Sequence, residues 1–384
     1  MDFGSVSSNL DYVFNKTNIL SSVYDSYQIT GNPEYYDKKW MDWNDNWPYA
    51  YPQDIAVNST NQFTTFGSVS NLTNPSQKID TYATCDKQMI KYAKEDYEAE
   101  VAKQDLQYQA RFIDGATYTV LFECYHPDHP QTRRESMQYR LKLLQYFREN
   151  EHGKIVIGSE DGKDIAVPYC DYFLGLMSPA PFRVPGTDTS GSLIKYWDEP
   201  TEAQTRVMTN ESVRVPLFQL VYHDCAISYW GGDDHNSKVI PLWDKRDLLN
   251  RLYGTPPVYV IMQHYWDQYK DRFVKSYKIA QPVSRLTGYA EMIDHIYLTD
   301  DMKVQQTIFS NDVSVIANFG SSGYSTIYGD YIEPMGSVVY KNFSTIKVAS
   351  GMDGWIIGVI VAVVLLFVAG VCVFIMIKMR KTDQ

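Results

Sequence analysis

Acidic residues stand at the ends of three predicted strands. Asp114 closes the run ARFID, Glu160 closes KIVIGSE, and Asp224 follows LVYH. The carboxyl ends of neighbouring parallel strands meet at one edge of a sheet, where active sites are built. Two carboxylates in one cleft can divide acid–base work, because one stays ionised while the surroundings of the other raise its pKa. A single such acid is as well explained by a helix N-cap or a salt bridge, so the prediction depends on their joint occurrence.

The elements that must position these acids alternate between strand and helix. Residues 86–109 and 132–150 carry apolar side chains at helical spacing, each next to a predicted strand. Further along, RVPLFQLVYHD and TPPVYVIM are predicted strands on either side of a predicted helix, WDKRDLLNRLYG. This alternation favours the α/β class with a parallel sheet, and polar strand ends favour a (β/α)8 TIM-type barrel.

Two stretches depart from this alternation. Residues 28–84 are rich in Asn, Ser, Thr and Pro and are predicted as a long loop region. The short runs MKVQQTIFS, VSVIANFG and GSVVYKNFSTIKV alternate apolar and polar residues, which predicts a small antiparallel β region. We therefore predict a barrel domain over residues 1–285 and a β region over residues 286–350.

Residues 355–377 form an apolar run of 23 residues without a charge, which is long enough to cross a bilayer as a helix. Lys378, Arg380 and Lys381 follow it, so the positive-inside rule predicts a cytoplasmic tail over residues 378–384. The predicted location is the plasma membrane, with a single pass and the N-terminal part extracellular.

The first residues, MDFGSVSSNLDYVF, have no signal-peptide pattern. Two interpretations stay open: a tail-anchored protein with a cytosolic body, or a type I membrane protein whose leading segment lies outside this sequence. Five glycosylation sequons favour the second, although each alone arises often by chance. They begin at Asn15, Asn58, Asn71, Asn210 and Asn342.

Composition limits the partners. A net charge of −11 argues against nucleic acid, which is held mainly through its phosphates. Aromatic residues reach 14%, with 31 Tyr, which suits carbohydrate clefts and wet interfaces.

The cysteines ahead of the apolar run allow two disulfides or four free buried thiols, and their spacing indicates no metal framework. His126 and His129 in CYHPDHP are interpreted as parts of a turn rather than as metal ligands, because no further ligand is nearby in sequence.

Several blocks of the chain resemble a known enzyme group. FIDGATYTVLFECYHPDHPQTRRE, YFRENEHGKIVIGSEDGKD, VPLFQLVYHDCAISYWGGDDHNSK and LTDDMKVQQTIFSNDVSVIANFG are similar to successive blocks of glycoside hydrolases related to families 129 and 101, the α-N-acetylgalactosaminidases. The resemblance covers roughly residues 20–320 and is greater for family 129. It implies that the opening strands of a complete barrel precede this sequence, so the barrel is expected to be N-terminally incomplete.

The resemblance implies a retaining glycosidase with Asp114 as nucleophile and Glu160 as acid/base, and such a pair requires carboxyl groups about 5–5.5 Å apart. The implied substrates are glycans with α-linked sugars, N-acetylgalactosaminides of the mucin kind. Further residues are assigned to the sugar-binding rim: Glu123, Asp128, His129, His223, Asp224, Trp230 and Asp233.

No cofactor is assigned with certainty. Calcium is the metal that the resemblance brings into question, with the acidic pair Asp233 and Asp234 as candidate ligands, but no EF-hand spacing accompanies them. The metal therefore stays unknown. The alternative function is a surface carbohydrate-binding or adhesion protein, derived from such an enzyme, that keeps the cleft and its aromatic residues without turnover.

Overall fold

The computed structural model describes residue 20 and residues 22–35, 50–70, 76–103, 109–150, 155–178, 195–232, 234–342 and 344–345. The strands are β1 Ser22–Ser26, β2 Ile29–Thr30, β3 Thr65–Ser70, β4 Lys78–Ala83, β5 Ala110–Asp114, β6 Val156–Glu160, β7 Tyr172–Leu174, β8 Ile227–Ser228, β9 Met292–Tyr297, β10 Val304–Phe309, β11 Val313–Asn318, β12 Tyr324–Ser325, β13 Tyr331–Ile332, β14 Gly336–Lys341 and β15 Ser344–Thr345. The α-helices are α1 Asp86–Lys103, α2 Arg133–Asn150, α3 Leu217–Tyr222, α4 Trp243–Tyr253 and α5 Gln263–Thr287.

A parallel sheet organises the first part of the chain, in the order β1-β5-β6-β7-β8. Because successive side chains of a strand point to opposite faces, each strand offers one set of residues to each side. Ile113, Ile157 and Phe173 join one buried core with side chains of α1 and α2, such as Met89 and Phe147. The helices thus cover one face of the sheet, as expected for an α/β fold.

The predicted (β/α)8 barrel, expected to be N-terminally incomplete, does not close in the described part of the chain. The parallel sheet there has five strands, with β1 and β8 at its two edges. Closing a sheet into a barrel requires its edge strands to pair, so this sheet is open. The α/β class with a parallel sheet is nevertheless as predicted.

Local signals account for most of the predicted elements. Helix α2 begins behind a capping box, in which Glu135 Oε2 accepts from the Thr132 backbone N–H at 2.8 Å and the Thr132 hydroxyl accepts from the Glu135 N–H at 3.3 Å. Helix α4 ends at Gly254, whose left-handed φ of 67° closes the last turn. Helix α1 likewise lies where the periodicity predicts it.

Three predictions for individual segments are wrong. Residues 28–84 contain β2, β3 and β4, which form a separate antiparallel sheet in the order β2-β4-β3. The run RVPLFQLVYHD forms helix α3 instead of a strand, because a short apolar run fits either period and Pro216 favours a helix start. The run TPPVYVIM has no assigned strand, since its two prolines lack the N–H groups that a ladder needs.

The predicted antiparallel β region is present after α5. Its main sheet has the order β15-β14-β11-β10-β9. It packs on α4 through a shared core that includes Leu249, Leu252, Val315 and Val339. The predicted boundary at residue 285 falls inside α5, two residues before its end.

Within the described residues, no helix combines the length and the apolar character that a bilayer span requires. The predicted span, residues 355–377, and the predicted tail, residues 378–384, lie outside the described part of the chain. The membrane anchor therefore stays a prediction.

Candidate active site

The structure brings Asp114 and Glu160 together at the carboxyl edge of the parallel sheet. In the register of β5 and β6, Ile113 lies opposite Ser159, so the next pair along the two strands is Asp114 and Glu160. Both side chains point to the face that the helices do not cover, and both are half-buried. Neighbouring strands lie about 4.8 Å apart, so this register places the two acids side by side on adjacent strands.

Tight turns follow both carboxylates. Gly115 comes directly after Asp114 with φ 69°, and the residues after Glu160, Asp161 and Gly162, have φ 58° and 67°. A Cβ on Gly162 would lie 2.8 Å from the Phe173 ring, so this position requires glycine for space as well as for φ. The chain therefore turns away at once and leaves the acids at the rim of the sheet.

Tyr24 on β1 completes the group, and sequence reasoning missed it. Its hydroxyl donates to Asp114 Oδ2 at 2.5 Å. Desolvation of the hydroxyl, the Asp114 carboxylate and then Glu160 all raise the pKa of Tyr24, so the phenol keeps its proton and acts as a donor. The sequence contained a signal, because SVYDS has the pattern of a strand. In that strand Ser26 pairs with Asp114, and Tyr24, two residues earlier, lies on the same face as Ser26.

An aromatic row crosses the sheet on the same face as the acids, two residues before them along β5 and β6. Tyr24 stacks on Phe112 at 5.8 Å between ring centroids, and Phe112 stacks on Tyr172 at 6.2 Å. Gly158 lies between Phe112 and Tyr172 in the register, and a Cβ there would lie 2.1 Å from the Tyr172 ring. The glycine thus leaves room for Tyr172 to lie across β6. Tyr24 remains 54% exposed, so the row borders an accessible surface suited to an apolar sugar face.

His223 and Asp224 lie elsewhere, since their segment is the end of α3 and not a strand end. His223 is buried, with Nδ1 2.8 Å from the Ala290 carbonyl oxygen and its ring against Phe309. Burial lowers the pKa of His223, which keeps the imidazole neutral. Both residues line a cleft of about 480 Å³ with Glu291 and other residues of α3 and β9, and the acids at the sheet edge do not line it.

Trp230 is not a rim residue in this structure. Its side chain is fully buried, and its indole N–H donates to Asn250 Oδ1 at 2.7 Å. The guanidinium groups of Arg214 and Arg246 lie 5.1 and 5.0 Å from its ring centroid. A ring enclosed in this way offers no surface on which a sugar can stack.

The acidic pair considered for calcium is only partly described. Asp233 lies outside the described residues. Asp234 is fully buried and pairs with Arg246 at 2.6 Å. Because that guanidinium neutralises the carboxylate, Asp234 does not fit the charged oxygen cage that calcium prefers.

The remaining rim candidates lie in the loop between β5 and α2. Glu123 is exposed and accepts from the Tyr125 hydroxyl at 2.7 Å, and Asp128 is exposed as well. His129 is buried, and its Nδ1 lies 3.4 Å from Cys124 Sγ.

Part of the chain matches the sequence model of a glycosyl hydrolase family. Residues 198–308 match the family model of glycosyl hydrolases related to the GH101 family, GH129. This range is less than a third of the chain, and it contains neither Asp114 nor Glu160. The search of the curated proteins found no match.

Solved structures of the α-N-acetylgalactosaminidase NagBb from Bifidobacterium bifidum are similar to this chain. The complex with GalNAc gives a TM-score of 0.55 at 20% identity, covering 82% of this chain and 43% of that one. The ligand-free form gives 0.57 at 19% identity, covering 83% and 43%. The chain thus spans less than half the length of NagBb. Its described part has a fold similar to that of a glycoside hydrolase, and residues 198–308 match the GH129 sequence model.

Proposed function

We propose that this chain is a retaining glycosidase that hydrolyses α-linked N-acetylgalactosaminides of mucin-type glycans. The observation that carries the proposal is the adjacent register of Asp114 and Glu160 on one open face of the sheet, with Tyr24 on the neighbouring strand hydrogen-bonded to Asp114. The sugar preference is taken from the similarity to NagBb and from the GH129 match.

The proposed reaction has two steps. Asp114 attacks the anomeric carbon while Glu160 donates a proton to the departing oxygen, which leaves a glycosyl ester on Asp114. Glu160 then takes a proton from water, whose oxygen attacks the same carbon and releases the sugar with its original anomeric configuration. Tyr24 donates to Oδ2 of Asp114, so Oδ1 is the oxygen available for attack.

Several neighbouring contacts hold the acids in place. The Thr117 hydroxyl donates to the Glu160 backbone carbonyl, and the Ser159 hydroxyl donates to the Ile113 carbonyl at 2.7 Å. These bonds join the ends of β5 and β6. A fixed carboxylate separation matters because displacement of a reacting group by about 1 Å can cost ~100-fold in rate.

Hydrolysis of an aryl α-N-acetylgalactosaminide tests the proposal. We expect Asp114→Asn to abolish release of the phenol, and Glu160→Gln to slow it most for substrates with poor leaving groups, since these need the proton. Glu149→Gln, an exposed change on α2, is the matched control and retains activity. Unchanged activity in Asp114→Asn would refute the assignment.

A second candidate is a surface carbohydrate-binding protein without turnover. The observation that favours it is the open sheet, because Tyr24 is more than half exposed beside the acids. Calorimetric titration with N-acetylgalactosamine separates the two functions. Binding of the sugar by a wild-type chain that releases no phenol supports the second candidate.

We also propose that residues 355–377 anchor this chain in the plasma membrane, with the sugar-binding part outside the cell. The uncharged run and the basic residues after it support this topology. The expected result is that the chain resists alkaline extraction from membranes and that glycan removal changes its electrophoretic mobility. A chain that is extracted as a peripheral protein, with no mobility shift, would contradict the proposal.

A further inference from the structure

Two cysteines and a histidine that are far apart in sequence meet in one buried cluster. Cys85 Sγ, Cys124 Sγ and His129 Nδ1 all lie within 4.8 Å of one another. All three side chains are buried, with exposed fractions of 0%, 3% and 1%. Cys85 immediately precedes helix α1, whereas the other two residues belong to the loop between β5 and α2. The sequence alone left His129 without further ligands nearby, and the fold supplies them.

The orientation of the His129 ring is fixed by its outer nitrogen. Nε2 lies 2.9 Å from the backbone carbonyl oxygen of Gln53, which can only accept, so Nε2 carries the proton. In the neutral ring Nδ1 then has its lone pair directed at Cys124 Sγ, 3.4 Å away. Histidines that bind metals commonly have this arrangement, in which the second nitrogen donates to a carbonyl.

The sulfur of Cys124 is also placed as a thiolate would be. The backbone N–H of Val57 donates to Cys124 Sγ at 3.4 Å. N–H groups directed at sulfur stabilise the charged form that binds a metal.

We propose that Cys85, Cys124 and His129 form a structural zinc site. In tetrahedral zinc sites the bond lengths place sulfur and nitrogen donors about 3.6 Å apart, so the observed 3.4 Å needs little rearrangement. The side-chain oxygen of Gln131 lies beside the cluster, 3.3 Å from Cys85 Sγ, and also accepts from the Lys87 N–H at 3.1 Å. On binding, the two thiols release two protons to solvent, and the two thiolates neutralise the Zn²⁺ charge within the buried site.

A disulfide between Cys85 and Cys124 is the competing arrangement, and the surroundings favour the metal. A disulfide has no S–H group, so it would leave Nδ1 of His129 without a donor from the cysteines in a buried site. It would also give the Val57 N–H a poorer acceptor than a thiolate. Zinc uses the lone pair of His129 and both sulfurs at once.

The position of the site suggests what it stabilises. Cys124 and His129 belong to the loop that follows Asp114, and Cys85 immediately precedes helix α1. Gln53 and Val57 belong to the segment ahead of β3. Zinc there would join three segments next to a small buried apolar cluster of Ala56, Ala83, Cys85 and Cys124. This structural role is independent of the proposed hydrolysis.

The test uses the full chain, purified in detergent under reducing conditions and analysed for metal by mass spectrometry. We expect about one zinc per chain. Cobalt exchanged into the site should give thiolate charge-transfer bands in the near ultraviolet and the visible spectrum of tetrahedral Co²⁺. Removal of zinc by a chelator should lower the midpoint of thermal unfolding, and added zinc should restore it.

Matched variants make the assignment specific. Cys85→Ser and His129→Gln should lose zinc and the cobalt spectrum, whereas Cys225→Ser, which changes an exposed thiol outside the cluster, should retain both. Because ligand variants can fail to fold, the wild-type measurements decide the proposal by themselves. A wild-type chain that takes up no zinc while its thiols are free would overturn it. A peptide map of the chain isolated without reductant that joins Cys85 to Cys124 by a disulfide, with no zinc bound, would overturn it equally.

Discussion

The hydroxyl of Tyr24 on β1 donates a 2.5 Å hydrogen bond to Oδ2 of Asp114 at the end of β5. Ninety positions separate the two residues in the chain, and the parallel pairing of β1 with β5 brings them together. A donor so close to a carboxylate stabilises its ionised form. Tyr24 is therefore a positioning residue for the proposed nucleophile, and it also begins the aromatic row.

Replacing this hydroxyl should impair the proposed reaction without loss of the fold. We expect Tyr24→Phe to lower kcat by about 10–100-fold, because hydrogen bonds to charged groups contribute about 1.5–3 kcal/mol. Tyr289→Phe removes a fully exposed hydroxyl and is the control. A kcat equal to that of wild type would show that the hydrogen bond does not act on the nucleophile.

The glycine below the acids should be required for the aromatic row. Gly158→Ala places a Cβ against the ring of Tyr172, so we expect this variant to bind N-acetylgalactosamine more weakly and to be less stable by about 1–3 kcal/mol. When Gly158→Ala is made in a chain that already carries Tyr172→Ala, the loss of stability should be much smaller, because the clashing ring is gone. Denaturant unfolding of the four chains measures this coupling, and equal costs in both backgrounds would contradict the clash.

A buried carboxyl away from the site should give the stability a measurable pH dependence. Burial raises the pKa of Asp247 to about 7, although Ser276 and Asn236 donate to it. The unfolded value is about 3.9, so the folded chain holds this proton more tightly. Stability should therefore fall as the pH rises from about 4 to about 7, by up to about 1.4 kcal/mol per pH unit.

Asp247→Asn should remove this contribution. The measurement is the free energy of unfolding in denaturant at several pH values, compared with wild type and with the exposed control Asp267→Asn. We expect the Asp247 variant to be more stable than wild type above pH 7. If its pH dependence matches that of the control, the raised pKa is wrong.

Trp230 should behave as a core residue and not as a sugar platform. Trp230→Phe loses the hydrogen bond to Asn250 and part of the contact with Arg214 and Arg246, so we expect a stability loss of about 1–3 kcal/mol. Sugar affinity of the folded fraction should be unchanged. A large loss of affinity at unchanged stability would restore Trp230 to the rim.

The elements with strong local signals were predictable. The capping box at Thr132 and the left-handed Gly254 mark helix ends, and the alternating runs after residue 300 form the antiparallel sheet as predicted. Short apolar runs were not predictable in the same way. Residues 217–222 are helical although their composition suits a strand, because six residues cannot distinguish the two periods and packing decides between them.

The sequence by itself determined the α/β class, the antiparallel region and the two carboxylates followed by tight turns, since periodicity, turn residues and strand ends are local properties. Tertiary structure decided which polar residues meet. It paired Asp114 with Tyr24, buried Trp230 next to two arginines, and brought Cys85 to His129. The physical reason is that strand register and helix packing set these distances, and both depend on contacts between segments that lie far apart in the chain.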